Sequence, residues 1–305
     1  MPNGSRCGVT LRCRYDDRLP CRAQWKTCVE RFPVRHISAE IRRPRRRRIA
    51  NSTRHLRQIE GNHVSTKLSV NLNKIALIRN ARGGNYPDLG RFAEQCLKRG
   101  VDGITLHPRP DERHVRFADL PEIAAICAHF GRELNVEGYP SERFMDAMAD
   151  IRPAQVTLVP DAPQQLTSDH GWEVQAHAPF LRGVVARLSA LGCRVSLFIS
   201  ANPRDARDAA AVGAQRVELY TGPYAVAYTA GDVRALLASY RDTAQTAQSC
   251  GIDVNAGHDL NLQNLSTLLQ AFNVSEVSIG HAFVVECLEQ GLGDVIAQYL
   301  KIVRA

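Results

Sequence analysis

No apolar run in the 305 residues approaches the roughly 20 that a helix needs to cross a bilayer, so no membrane span is expected. The opening MPNGSRCGVTLRCRYDDRLP lacks the unbroken apolar core of a secretory signal. No Cys-x-x-Cys pair occurs among the four early cysteines (Cys7, Cys13, Cys21, Cys28), which removes the commonest zinc-module spacing. The other five (Cys96, Cys127, Cys193, Cys250, Cys287) lie far apart, mostly on helical patterns, and read as reduced packing residues of a cytoplasmic protein. Lysine is scarce beyond residue 66, where only Lys67, Lys74, Lys98 and Lys301 occur. Amine-based covalent catalysis therefore has few candidates.

Positive charge is present but confined. The chain carries a net +8, yet residues 1–66 hold sixteen Lys or Arg against five Asp or Glu, and the remaining 239 residues hold 23 against 26. This head, with RRPRRRR at 42–48, has no sustained period of 2 or 3.6 and buries too little to offset chain entropy, so disorder is expected. It reads as an extension upstream of a native start near Val64, which requires a non-AUG codon because Met145 is the first methionine after Met1. A transit peptide or a tail for nucleic acid or a membrane surface are the other readings. The body gives no sign of either partner.

From Lys67 the texture changes. Short strand-like runs (LSVNLN, DGITLHP, ELNVEG, QVTLVPD, RVSLFIS, RVELYT, IDVNAG, EVSIGH) alternate with stretches whose apolar residues recur three and four apart, such as FLRGVVARLSALG. Eight strand–helix units in about 240 residues predict a (β/α)₈ barrel, an α/β fold over residues 67–305. An open doubly wound sheet is the runner-up, but no glycine-rich phosphate loop follows the first strand.

Parallel strands buried on both faces usually read as continuous apolar runs. Here Val70 and Leu72 alternate with Asn71 and Asn73, Ile104 and Leu106 with Thr105 and His107, and Leu134 and Val136 with Asn135 and Glu137. Glu218, Asp253 and Ser278 each stand between apolar neighbours. Successive side chains point to opposite faces, so the apolar parity suits the helix layer and the polar parity fills the lumen. Interior carboxylates and amides are costly unless paired. A polar lumen opening at the carboxyl ends of the strands is the expected form of a barrel active site.

TLHPRPDERH, LNVEG, TLVPD, VSLFI, VELYTG, VNAGHDL and IGHA, in this order, resemble the pyridoxine 5'-phosphate synthase family, from about Leu68 to the C-terminus. The resemblance implies a barrel enzyme that joins 3-amino-2-oxopropyl phosphate to 1-deoxy-D-xylulose 5-phosphate, releasing phosphate and water, with no metal or other cofactor. By motif it implies His107 and Glu137 as general bases, His258 as proton donor and Glu218 as a stabiliser of charge. Contacts to the pentulose phosphate fall to Asn71, Arg109, His114 and Thr167, and to the aminoketone phosphate to Arg82, Gly280 and His281. It also implies a homo-oligomer, an octamer by family. The residue types suit the chemistry: imidazoles and a buried carboxyl move protons near neutrality, and arginine forks and a glycine-opened helix N-terminus hold phosphates. Arg113 and Arg116 read as solvated loop charges.

The chain departs from the family at three site positions. Asn73 and Lys74 stand where Asp-His is common, and Asp259 where glycine is expected, a carboxylate that repels phosphate unless it turns away. Other readings remain open: a Schiff-base aldolase using Lys74, a metal-dependent aldolase or epimerase using His107, Glu137, His258 and His281, and a non-catalytic barrel tethered to nucleic acid by its head.

Overall fold

The computed structural model describes residues 65–161 and 168–305. The expectations for the head, and for Thr167, lie outside the described residues. Eight parallel strands form a closed barrel in sequence order: β1 (Lys67–Asn71), β2 (Gly103–Leu106), β3 (Glu133–Gly138), β4 (Gln155–Leu158), β5 (Arg194–Ile199), β6 (Arg216–Tyr220), β7 (Asp253–Gly257) and β8 (Glu276–Ile279). Closure is explicit, because β1 pairs with β2 (Val70 opposite Ile104) and with β8 (Leu68 opposite Val277). An open sheet is thereby excluded. The helices of the first half are α1 (Asn73–Asn80), α2 (Leu89–Lys98), α3 (Leu120–His129), α4 (Glu142–Ile151) and α5 (Ala178–Ala190). Those of the second half are α6 (Pro203–Ala211), α7 (Gly222–Ala230), α8 (Arg234–Ser249), α9 (Leu265–Ala271), α10 (His281–Gln290) and α11 (Leu292–Val303). No described helix is long and apolar enough to cross a membrane.

Local chemistry starts several of these helices. The Asp88 carboxylate accepts from Arg91 N (2.7 Å) ahead of α2, and Ser141 Oγ accepts from Phe144 N (3.3 Å) ahead of α4. Each such cap satisfies a backbone N–H that the helix cannot, worth about 1 kcal/mol. Val70, Ile104, Leu106, Val136, Leu158, Leu197, Leu219 and Val277 are fully buried, and the strands' apolar parity packs against the helix layer. Burying each such side chain stabilises the fold by about 1.5–3 kcal/mol.

The other parity fills the lumen in layers. At the amino-terminal end, Glu133 takes Lys67 Nζ (2.8 Å) and Arg194 Nη2 (2.5 Å), Gln155 Oε1 takes Arg194 Nε (2.9 Å) and Arg216 Nη1 (3.0 Å), and Gln155 Nε2 donates to Glu276 (3.3 Å). Above this charged belt, Ser69 and Thr105 share a hydrogen bond of 2.7 Å, and Thr157 donates to Asn135 (3.0 Å). The third layer is the mouth.

Three details differ from expectation. Asn73 begins α1 instead of ending β1, because Leu72 already leaves the extended conformation (φ −92°, ψ 8°). Asp253 is exposed at the outer rim, 3.5 Å from Arg216, and not inside the lumen. Of the five body cysteines, all free thiols, Cys96, Cys127 and Cys193 are buried, Cys287 is half-buried and Cys250 is exposed after α8, so the last is not a packing residue.

Candidate active site

At the carboxyl ends of the strands lies a cavity of about 600 Å³. It is lined by His107, Glu137, Glu218 and His258, and by Asn71, Asn73, Lys74, Arg109, His114, Asp259, Gly280 and His281. Four separate strand ends supply the first four.

The loop after β2 carries His107, Arg109, Arg113 and His114. Asn73 Oδ1 accepts from His107 N (2.9 Å), so the residue that left the strand anchors this loop from α1. The His107 ring is buried, with Nδ1 3.8 Å from Glu137 Oε2. Burial above all, then the charges of Arg109, His114 and Arg113, hold its pKa well below the ordinary imidazole value. His107 is therefore neutral near pH 7 and able to accept a proton. His114 is lowered to about 4 by burial, then Arg109 and Arg113. Its Nδ1 accepts from Val115 N (2.9 Å), which leaves the proton of the neutral ring on Nε2.

Glu137 takes a long hydrogen bond from Asn71 Nδ2 (3.4 Å). Burial, followed by the nearby charges of Glu218 and Asp161, raises its pKa well above the usual carboxylate range. Glu218 is raised as well, by burial and then Glu276, against a hydrogen bond with Thr157. The two carboxyls titrate as a pair, and the pair retains a proton near neutrality.

Gly257 explains why Glu218 fits. A Cβ there would lie 2.3 Å from Glu218 Oε1, so only a bare backbone lets the carboxyl lie against β7. Gly257→Ala is expected to displace Glu218 and lower kcat by about 10–100-fold. Steady-state kinetics check this, and an unchanged kcat would show that the position of Glu218 is immaterial.

The turn after β7 has positive φ at two non-glycine residues, His258 (89°) and Asp259 (56°). Thr221 Oγ1 straps it by donating to Gly257 O (2.7 Å) and to His258 O, and Asn264 Nδ2 donates to Asp259 O (3.0 Å). The Asp259 carboxylate turns back onto His258 Nδ1 (2.8 Å), a bond that holds its own pKa down, so it stays anionic in the cavity wall. Tyr220 meets the His258 ring edge-on at 5.1 Å between centroids.

Among the residues anticipated in the sequence, Arg82 is not brought to the cavity: it is exposed in the turn beyond α1, which ends at Asn80. Arg113 corrects an expectation in the other direction. It lines the cavity, bonded to Asp111 (2.8 Å), instead of being spread in solvent, whereas Arg116 is exposed. Phe198 and Tyr220 also form part of the wall, outside the site residues named above from the motifs. Both continue the lumen parity of β5 and β6, a signal that pointed to them. Lys74 lines the cavity with no hydrogen-bond or ion-pair partner among the described residues.

Comparison with known proteins agrees with this geometry. Residues 68–305 match the family described as Pyridoxal phosphate biosynthesis protein PdxJ. The chain belongs to the PdxJ family. A relative from Chelativorans sp. (strain BNC1), named pyridoxine 5'-phosphate synthase, is 48% identical over 248 residues, covering 78% of this chain and 99% of the relative. One of the same name from Bacteroides thetaiotaomicron is 47% identical over 240 residues, covering 78% of this chain and all of the relative. Among solved structures, 3-hexulose-6-phosphate synthase superposes with a TM-score of 0.53 at 15% identity, over 78% of this chain and 99% of that one. Thiamine phosphate pyrophosphorylase from Pyrococcus furiosus gives 0.52 at 13%, over 78% and 95%. These two share the barrel fold with this PdxJ family member.

Proposed function

We propose that this PdxJ-family barrel is a pyridoxine 5'-phosphate synthase that condenses 3-amino-2-oxopropyl phosphate with 1-deoxy-D-xylulose 5-phosphate, closing the pyridine ring with release of phosphate and water. The observation that carries this reading is the meeting of His107, Glu137, Glu218 and His258, from four strand ends, in one cavity at the barrel mouth. Imine formation, phosphate loss and aldol-type closure each require protons to move in both directions.

His107, neutral by its surroundings, takes protons. Glu137, held near its protonated form, accepts a proton when ionised and returns it when not. Glu218 retains a proton near neutrality and stabilises developing negative charge as a hydrogen-bond donor. His258 donates to the leaving oxygen, its ring held at Nδ1 by Asp259. Asn71, Arg109 and His114 form the ketose-phosphate side, with Asn73 and Lys74 beside them. Gly280 and His281, at the amino end of α10, suit the second phosphate. Thr167 is carried over from the family resemblance alone, as is the octameric homo-oligomer; exposed Ile78, Val285 and Leu288 on α1 and α10 support self-association.

The purified protein supplied with both substrates should form pyridoxine 5'-phosphate, read by its absorbance and mass. No product under conditions where the protein is folded would overturn the reading. Borohydride added during turnover should leave Lys74 unmodified; a trapped adduct there would favour a Schiff-base enzyme instead.

A further inference from the structure

One buried acid at the mouth has no role in the reaction as described. Asp161, just beyond β4, is almost wholly enclosed, and its Oδ2 receives Arg109 Nη2 at 2.5 Å and Ser168 Oγ at 2.7 Å. Its Oδ1 is buried with no hydrogen-bond partner among the described residues. Arg109 is as enclosed as its partner, each side chain 4% exposed, yet it lines the cavity. A guanidinium taken out of water at a substrate-lined wall needs a fixed counter-charge, or its position and its field are both undetermined.

We propose that Asp161 is the positioning residue of the ketose-phosphate subsite: it holds Arg109 in the barrel wall, aims it at the anion, and balances its charge beside the two bases. The proposal rests on the function proposed above and adds a residue to it. The pair faces the catalytic groups directly. Glu137 is raised by burial, then by Glu218 and Asp161, and is opposed by Arg109, with Glu276 adding to the rise. His107 is lowered by burial, then by Arg109, His114 and Arg113. Removing the Asp161 charge takes away its offset to the Arg109 field, and both bases then lose protons more readily. The acid limb of the rate profile, where bases become protonated, should therefore move to lower pH.

The test compares Asp161→Asn with Asp161→Glu, which keeps the charge. In Asp161→Asn the KM for 1-deoxy-D-xylulose 5-phosphate should rise about tenfold or more, with kcat within about threefold and the KM for the aminoketone phosphate unchanged. The acid limb of kcat/KM should shift down by about half a pH unit or more, and Asp161→Glu should restore it. Calorimetry with the ketose phosphate alone should show about tenfold weaker binding for Asp161→Asn. An Asp161→Asn protein with unchanged KM and Kd and an unmoved acid limb overturns the proposal, even if its melting temperature falls. A wild type that binds the ketose phosphate but forms no product overturns the proposed reaction, and the Kd comparison still decides on Asp161.

Discussion

His107→Ala is expected to lower turnover by about 10²–10⁴-fold, the range lost when a positioned general base is removed. The ring is placed by its backbone and not by its own hydrogen bonds, since His107 N is fixed by Asn73 Oδ1 at 2.9 Å. Deleting the imidazole therefore leaves the loop anchored, and the space opens onto the cavity where water can enter. A circular dichroism spectrum and melting temperature close to those of the wild type should accompany the loss. The imidazole is kept neutral chiefly by burial, so the limb of the wild-type kcat/KM profile that His107→Ala removes should lie below pH 6.5, the ordinary imidazole value. A limb centred at or above 6.5 that disappears in His107→Ala would show the opposite, that the ring works as an exposed imidazole. Turnover within threefold of wild type would remove His107 from the mechanism.

The second large effect concerns stability. Arg79 on α1 is buried, and it meets Asp119 in a two-pronged pair, Nη1 to Oδ1 at 2.8 Å and Nη2 to Oδ2 at 2.9 Å. Its Nη2 also reaches His114 O (3.3 Å), and its neighbour Asn80 donates to the same carbonyl (2.7 Å). Asp119 further accepts from Arg116 N (2.8 Å). These bonds clamp the loop that presents His107, Arg109, Arg113 and His114. Asp119→Ala leaves a buried guanidinium without its counter-ion. We expect a cost of about 3 kcal/mol, the lower end of the range for a broken buried pair because Asp119 retains some solvent contact. For a body of this size that lowers the melting temperature by about 6–12 °C. The KM for the ketose phosphate should rise as His114 loses its support. The double replacement Arg79→Met with Asp119→Leu should recover much of the stability, because the cost lies in the uncompensated charge. A loss under about 1 kcal/mol in Asp119→Ala would mean that the pair behaves as an exposed salt bridge.

Much of the site could be read along the chain because strands have period 2. Once Val and Ile marked the helix-facing parity, His107, Glu137 and Glu218 had to face the lumen, and their places at strand ends put them at the mouth. Asn73 broke this pattern because the strand ends two residues earlier, yet α1 still carries it to the cavity. Nothing in DERH distinguishes an arginine that curls over a cavity, as Arg113 does, from one that leaves it. The motif places Arg82 at the cavity, but α1 ends at Asn80 and leaves Arg82 exposed in the turn beyond.

Alternation and helical spacing are properties of a few consecutive residues, so the sequence alone determined the eight strand–helix units, the two faces of each strand and the polar lumen. Pairing across the barrel depends on register and closure. Those decided that Glu137 sits with Glu218 and Asp161, 81 and 24 residues away along the chain, and that Arg79 finds Asp119 across 40. Burial and unlike or like charge at such distances set which carboxyls keep a proton. Local sequence carries neither quantity, because both arise only when the eighth strand meets the first.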